Sequence, residues 1–302
     1  MGQLEDMAMF VRVVDAGSIT KAADQLNIAK SAVSRRLKEL ETRLNSQLIS
    51  RTTRNSTLTE AGQKYYHEAC SIVSEVDLLN EQISGVTSYI NGTMRLTAPL
   101  SFGLMHLDEI IHNFALQHPK LSFELDFSDR HIDLVEEGYE MAIRIGELKD
   151  SSYQAKRLTV IRRILCASPE YLKQAGTPDS IEALKHHSFL QYGLKGKQGE
   201  LEVIDPSGQR HRVDTTSRIK ANNGNFILDM AIKGHGIAFT PTFIAYQSLA
   251  KGELIPIMQD YQFPTLNAYA VYPKNRFLSQ RCRLLIDYII EQIGDEPYWD
   301  NI

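Results

Sequence analysis

The stretch Lys30-Ser31-Ala32-Val33-Ser34-Arg35-Arg36-Leu37-Lys38-Glu39-Leu40-Glu41-Thr42-Arg43-Leu44 decides how the front of this chain is read. At 100° per residue, Val33, Leu37, Leu40 and Leu44 make one apolar stripe. Lys30, Ser34 and Lys38, flanked by Ser31 and Arg35, make a second stripe displaced by roughly 120°. One edge of the helix suits a core, and the other offers cations and hydroxyls near a helix N-terminus. Such cations can reach guanine N7 and O6 in a major groove, while Ser hydroxyls and N-terminal N–H groups can bond phosphates. Upstream, Leu4, Met7, Phe10, Val11 and Val14 recur at helical spacing, Gly17 stops that helix, and Ser18 or Thr20 can cap the next. The second helix turns Ile19, Ala22, Ala23 and Leu26 inward, and Asn27 tolerates a left-handed turn into the third. This spacing predicts a helix-turn-helix over about residues 19–38. Residues 47–58 are polar, β-branched and basic, and predict a short hairpin, or wing. The expected DNA-contacting set is Ser18, Thr20, Lys30, Ser31, Ser34, Arg35, Lys38, Arg51 and Arg54.

The charge is distributed to match. The whole chain carries −4, but residues 1–58 hold nine Lys or Arg against six Asp or Glu, a net +3. A basic patch on an acidic chain suggests a small polyanion-binding module joined to a larger body with another task. The 302 residues suffice for two to three domains, and 43% apolar with 23% charged residues is ordinary globular composition. No apolar run nears the ~18 residues of a membrane span. Glu5 and Asp6 near the N-terminus do not suit a signal peptide, and Asp6 stands where a myristoylation motif has Ser or Thr. Cys70, Cys166 and Cys282 are too few and too scattered for a disulfide framework or a CxxC metal site. The expectation is a cytoplasmic protein with no membrane partner, no metal and no cofactor.

From Thr59 to about Gly85 a helical pattern runs without Pro. Tyr65, Ala69, Ile72, Val76, Leu79, Ile83 and Val86 alternate steps of four and three, a heptad seam. An exposed seam on a rod of roughly 40 Å is costly, so pairing with a second copy is expected through Tyr65, Ala69, Ile72, Val76, Leu79 and Ile83. A two-fold dimer presents two reading helices and therefore favours an interrupted palindrome in double-stranded DNA.

Residues 1–90 resemble the N-terminal part of LysR-type transcriptional regulators. The matching residues are Phe10, Ala16-Gly17-Ser18, Ala22-Ala23, Leu26, Ala32-Val33-Ser34-Arg35, Leu40-Glu41 and Leu58-Thr59-Glu60-Ala61-Gly62. Asn45 stands where that family usually has Gly, Ile49-Ser50 replaces Phe and a variable residue, and Lys30-Ser31 replaces Gln-Pro or a close variant. The resemblance implies a winged helix-turn-helix domain at 1–58, a dimerisation helix at 59–90 and an effector-binding domain at 91–302. It implies that this last domain is similar to periplasmic solute-binding proteins, with a small molecule held between two lobes. It also implies homodimers or homotetramers and DNA bending, with RNA polymerase considered as a further partner.

Within residues 91–302, strand-like and helix-like segments alternate, so an α/β architecture with largely parallel strands is expected. Lobe I is placed at about 91–162 and 266–302, and lobe II at about 163–265. Strands are read at 94–98, 121–127, 141–145, 164–167, 189–192, 218–220, 236–240 and 266–272, and helices at 104–117, 132–137, 226–233 and 279–293. Ligands of such sheets sit beyond the carboxyl ends of the strands, at helix N-termini. The candidates are Ser101, Phe102, Ser128, Asp129, Arg144, Asn222, Asn223 and Thr240, with Arg144 suited to a carboxylate. The Leu134-Val135-Glu136-Glu137-Gly138 and Ile143-Arg144-Ile145-Gly146 stretches mark a large branch of the family with diverse inducers.

Other chemistry finds no support. Gly234-His235-Gly236 is too short for a dinucleotide fingerprint, and the 193–198 loop lacks phosphate-loop spacing. His186-His187 point apart, and His106, His112 and His118 do not share a helix face. Nothing in the sequence activates Cys166 or Cys282 toward oxidants. No catalytic residue is assigned. A ligand-responsive DNA-binding regulator is favoured over a solute-binding or catalytic protein with a vestigial front domain, and over an effector-independent architectural dimer.

Overall fold

The computed structural model describes residues 2–51, 56–84, 90–130, 132–147, 153–193, 200–274 and 278–301. The head comprises α1 (Gln3–Asp15), α2 (Ile19–Leu26), α3 (Lys30–Arg43) and strands β1 (Ile49–Arg51) and β2 (Ser56–Leu58), which pair antiparallel. Each boundary has a local cause. Gly17 at φ +66° reverses the chain after α1, the Ser18 hydroxyl accepts a bond from the Lys21 N–H at 3.1 Å, and Asn27 at φ 56° ends α2. Asn45 is also left-handed, at φ 47°, a conformation that Asn shares with the Gly expected there.

Phe10, Val33, Leu37 and Leu40 are fully buried at the centre of the head. Two expectations shift. Met9 and Val13 join Phe10 on the buried face of α1, while Leu4, Met7, Val11 and Val14 are half-buried, because the helix is covered on two sides. Leu44 lies past the last turn of α3 and is exposed.

The wing is joined to the next helix by side chains. Glu41 Oε1 accepts the N–H of Leu48 at 2.8 Å and of Ile49 at 3.1 Å. Thr59 Oγ1 donates to the Gln47 carbonyl at 2.6 Å and accepts from the Gly62 N–H at 2.9 Å, opening α4 (Glu60–Ser84). A Cβ on Gly62 would stand 1.9 Å from the Leu48 carbonyl oxygen, so only glycine fits. Glu41, Thr59 and Gly62, which carry much of the family resemblance, are joints of the head.

The first lobe contains β3 (Gly92–Ala98), α5 (Leu100–Phe102), a π-helical turn (Gly103–Leu107), α6 (Asp108–Gln117), β4 (Leu121–Phe127), β5 (Met141–Ile145) and β6 (Tyr153–Ile161). The second contains β7 (Arg163–Ala167), α7 (Pro169–Ala175), α8 (Ile181–Leu184), β8 (Ser188–Tyr192), β9 (Glu200–Ile204) and β10 (Arg210–Asp214). It continues with β11 (Thr216–Ala221), α9 (Gly224–Ile232), β12 (Ile237–Pro241), α10 (Thr242–Ala250) and β13 (Ile255–Ile257). β14 (Leu266–Pro273) and α11 (Gln280–Ile293) return to the first lobe. The sheets have orders β4-β3-β5-β14-β6 and β11-β8-β12-β7-β13, with β9 and β10 as a separate hairpin.

The sheets are mixed, which corrects the expectation of largely parallel strands. β3 is parallel to β4 and β5, and β8 to β11 and β12. β14 pairs antiparallel with β5 and β6, and β7 with β12 and β13. The reversed pairings involve the strands that pass the chain between lobes, β6 to β7 and β13 to β14, with no crossover helix to restore direction. The helix expected at 132–137 is instead a series of turns. Asp133 Oδ1 accepts the N–H of Val135 at 2.8 Å and of Glu136 at 3.1 Å, competing with helical bonding. β6 escaped the sequence reading because it is an edge strand whose residues 154–157 are exposed.

A short tail closes the body from behind. Trp299, in a 3-10 turn (Tyr298–Asp300), is completely buried and packs edge-on against Phe102 and Phe243. Asp300 pairs with Arg162 at the lobe crossing and accepts from Thr242 Oγ1 at 2.5 Å. His106 Nε2 donates to the Phe243 carbonyl at 3.0 Å, leaving Nδ1 to accept from the Tyr298 hydroxyl at 2.6 Å. Among the described residues no helix is long and apolar enough to cross a membrane.

Candidate DNA-reading face and ligand cleft

The fold divides the basic residues of α3 into two sets. Arg36 donates to Asp6 Oδ1 at 3.1 Å and Arg43 to Asp6 Oδ2 at 3.1 Å, tying α3 to α1. Lys30, Ser31, Arg35 and Lys38 are exposed and Ser34 is half-buried, on the stripe set off from the buried Val33–Leu37–Leu40 edge. Arg35 touches Glu39 at 3.8 Å, but with the two side chains 75% and 66% exposed this pair restrains little. Ala29 gives α3 no side-chain cap, so its first N–H groups are open to an anion. Ser18 is used as the α2 cap, and Thr20 is exposed on the first turn of that helix. Arg54 and the side chain of Arg51 lie outside the described residues.

The heptad seam of α4 is also divided. The Tyr65 ring meets Phe10 edge-on at 5.4 Å and Ala69 is buried, so these two serve the chain's own head. Val76 is half-buried, whereas Ile72 and Leu79 are 40% and 56% exposed. The side chain of Ile83 and all of Val86 lie outside the described residues. Where α4 passes the body, His67 sits over Gly138, whose missing Cβ would fall 2.2 Å from the imidazole. The Arg281 guanidinium donates to Glu140 at 2.9 Å and to the Asn91 carbonyl at 3.0 Å, holding the root of the linker.

Between the lobes lies a cavity of about 650 Å³. Ser101, Phe102, Ser128, Asp129, Arg144 and Thr240 all line it. Asn222 and Asn223 do not, which corrects the expectation for that turn. Asn222 is exposed, and Asn223 Oδ1 is occupied capping α9 through the Phe226 N–H at 2.8 Å. Its neighbours make the contact: Gly224 lines the cavity, and Asn225 Oδ1 accepts a bond from Ser101 at 2.5 Å across the lobes.

Charge in the cavity is unbalanced. Arg130 pairs with Glu137, and Glu200 with Arg212 at 3.5 Å. Asp129 then lies near Arg144, while Glu202 and Glu147 are the acids near Arg163. Burial presses the pKa of both guanidiniums downward, opposed at Arg144 by Asp129 and Asp126 and at Arg163 by Glu202 and Glu147. Arg144 donates to the Ile143 carbonyl at 3.1 Å. Arg163 donates to the Pro264 carbonyl at 2.6 Å and stacks over Phe239 at 4.6 Å. Burial, with the charge and hydrogen bond of Asp129, pushes the Tyr192 phenol up to about 12, so this neutral hydroxyl reaches from lobe II to lobe I.

Two family models match the chain. One, described as the LysR substrate binding domain, matches residues 88–294, and another, a bacterial regulatory helix-turn-helix protein of the lysR family, matches residues 4–63. The chain belongs to the LysR family of transcriptional regulators. It is 35% identical to an uncharacterized HTH-type transcriptional regulator of Haemophilus influenzae over 92% of this chain and 96% of that one. The solved structure of CrgA, a LysR-type regulator from Neisseria meningitidis, matches with TM-score 0.63 and 32% identity, covering 96% and 99% of the two chains. The full-length Vibrio cholerae virulence activator AphB matches with TM-score 0.57 and 26% identity, covering 96% and 99%. As a LysR-type transcriptional regulator, the protein carries a DNA-binding helix-turn-helix followed by a two-lobed α/β effector-binding domain. The Trp299 tail lies beyond the matched residues.

Several cleft residues of this LysR-type regulator were not legible in its sequence. Arg163, Gln191, Tyr192, Ser217 and Phe239 line the cavity from lobe II. Only Arg163, a charge opening an apolar strand, left a signal. Among the described residues no group of three or more His, Cys, Asp or Glu fits a metal ion. Burial pushes the thiols of Cys70 and Cys166 up to about 12 and raises that of Cys282, which disfavours the thiolate at each.

Proposed function

We propose that this regulator acts in the cytoplasm, by binding alone and without catalysis, as a dimer or a tetramer built from dimers. Its domain limits are 1–58, 59–90 and 91–302, with the lobes exchanging near 162 and 266. Two copies pair through the exposed part of the α4 seam, Ile72, Val76 and Leu79, and present two α3 helices to an interrupted palindrome. Lys30, Ser31, Ser34, Arg35 and Lys38 read and grip the DNA, with Thr20, Arg51 and Arg54 at its backbone and Ser18 supporting the turn. A small anion between the lobes, met by Arg144, Ser101, Ser128 and Thr240, shifts the population of lobe closures. His67 over Gly138 and the Arg281–Glu140–Asn91 contacts support transmission of that shift to the linker and thus to the spacing of the heads.

The observation that carries the DNA-binding half is the partition on α3: Arg36 and Arg43 are consumed by Asp6, while Lys30, Arg35 and Lys38 project from the opposite face. A mobility-shift titration against the region upstream of the protein's own reading frame tests it. Arg35→Ala is expected to weaken binding by about tenfold to a hundredfold, the cost of one base-reading pair, and wild-type affinity to fall steeply with salt. Wild-type affinity in Arg35→Ala would remove α3 from the interface.

A further inference from the structure

The chain does not end on the lobe that carries its last helix. It leaves α11 at Gly294, whose φ of +71° turns it, and residues 295–301 cross from lobe I onto α10 of lobe II. On the lobe I side the Trp299 ring meets His106 at 4.4 Å and Phe102 at 6.0 Å, and the Tyr298 hydroxyl bonds His106. On the lobe II side Trp299 meets Phe243 at 6.3 Å and the Tyr298 ring meets Tyr246 at 5.7 Å. Asp300 fastens the end of this segment. Its side chain is 8% exposed, pairs with Arg162 between β6 and β7, and accepts from Thr242, the first residue of α10. The Thr242 N–H donates to the Arg162 carbonyl at 3.0 Å, so one knot joins tail, crossing and lobe II.

This placement constrains how the lobes move. Lobe II turns on lobe I about the two crossings, and the Arg163 guanidinium ties them together through the Pro264 carbonyl at 2.6 Å. Any turn shifts α10 against the π-helical turn of lobe I, and Trp299 is wedged between the two. Close-packed interiors yield little: narrowing the gap overpacks the indole, and widening it opens a void. Asp300 adds a threshold, because a buried carboxylate parted from its partners is costly. Docking also carries a penalty of its own, since Trp299 Nε1 is buried and finds no acceptor among the described residues. That penalty brings the undocked state nearer in free energy. We propose that residues 295–301 are a strap that sets the angle between the lobes. Docked, it holds one angle; released, it frees lobe II to turn about Arg162. Its consequence for DNA rests on the proposed transmission from lobe angle to the heads, whereas the strap itself does not.

Trp299 is the only tryptophan of the chain, so intrinsic emission reports docking directly. Pulsed electron spin resonance reads the lobe angle, between labels at Asn113→Cys on α6 and Lys173→Cys on α7, both exposed, in a Cys70→Ser background. Labelled full chain is diluted into unlabelled chain, so only distances within one chain are read. Asp300→Ala is expected to move the emission to the red and to shift and broaden the distance distribution. Arg162→Gln, which loosens the same knot from its more exposed side, is expected to do the same. Asp300→Asn keeps an oxygen for Thr242 and is expected to do less. Far-ultraviolet circular dichroism equal to wild type shows that a variant is folded. An unchanged distance distribution in a folded variant whose emission has moved overturns the strap, because the tail would then only cover the body. Unchanged emission in both Asp300→Ala and Arg162→Gln overturns it as well, because Asp300 would be no anchor. If the distances move while operator affinity in a mobility shift stays at the wild-type value, the strap stands and the proposed transmission to the heads falls.

Discussion

Arg35 on α3 and Arg144 on β5 are both guanidiniums that face an expected anion, yet the fold treats them differently. Arg35 stands in water, 75% exposed, with one loose partner on its own helix. Arg144 is held in a cleft where burial disfavours its charge and acids from neighbouring segments restore it. An exposed cation on a helix meets a phosphate backbone from outside, so it needs no pocket and gains from long-range attraction. A buried cation discriminates: it rewards only a ligand small enough to enter and charged enough to replace lost water. The head is therefore built for a large, uniformly charged partner and the body for a small, particular one.

The largest effect that sharpens this contrast lies behind the cleft. Phe102 and Phe243 line the cavity and lean on Trp299, so the tail determines the shape of the wall. Trp299→Ala leaves a void where the largest fully buried side chain stood and is expected to destabilise the body by about 3–5 kcal/mol. In a chemical melt followed by circular dichroism, the head should melt as in wild type while the body's transition moves to lower denaturant. A body transition left in place would show that the tail only decorates the domain.

A smaller effect belongs to the head. The Ser18 hydroxyl satisfies the Lys21 N–H at the start of α2, and that helix sets the angle of α3. Ser18→Ala should cost about 1 kcal/mol of head stability and leave ligand binding in the body untouched. Operator affinity should fall far less than in Arg35→Ala, because the cap positions α3 without touching DNA. An equal loss in the two variants would move Ser18 into the interface itself.

The same contrast explains what was legible in the sequence. The proposed reading face is local: five residues within about two and a half turns of one helix repeat at helical period, so Lys30, Ser31, Ser34, Arg35 and Lys38 could be proposed from spacing alone. The cleft is assembled from the turns that follow β3 and β4 and from residues of β5, β7, β8, β9, β11, β12 and β14 with the starts of α5, α9 and α10, whose approach depends on sheet order, and no periodicity joins Gln191 to Ser217 or either to Arg144. Strand ends and helix starts gave Ser101, Ser128, Asp129 and Thr240. The same rule misled at Asn223, where a good cap keeps its oxygen for its own helix. Tyr65 and Ala69 show a further limit. A heptad seam says which side is apolar but not which surface covers it, and here the head covers its first turns.

Acidification should separate the two regions most gently. His106, His118 and His187, all in the body, have their pKa values lowered from the ordinary 6.5, in each case first by burial. Folding therefore favours their neutral forms. The associated stability is fully present above about pH 6.5 and is lost as the pH falls toward the lowered values, because the unfolded chain takes up protons first. His106 faces Tyr298, the Phe243 carbonyl and Asp108, and the hydrogen bond to the Phe243 carbonyl, then the Asp108 charge, offset part of the burial effect. The head has no His before residue 60, so it lacks this source of pH dependence. The body's melting temperature should stay level from pH 8 to about 6.5 and decline below it, with a shallower decline in His106→Gln. A body that gains stability in this window, or a His106→Gln slope equal to wild type, would mean that the imidazole is not kept neutral between Tyr298 and Phe243. The tail would then be held by Trp299 and Asp300 alone.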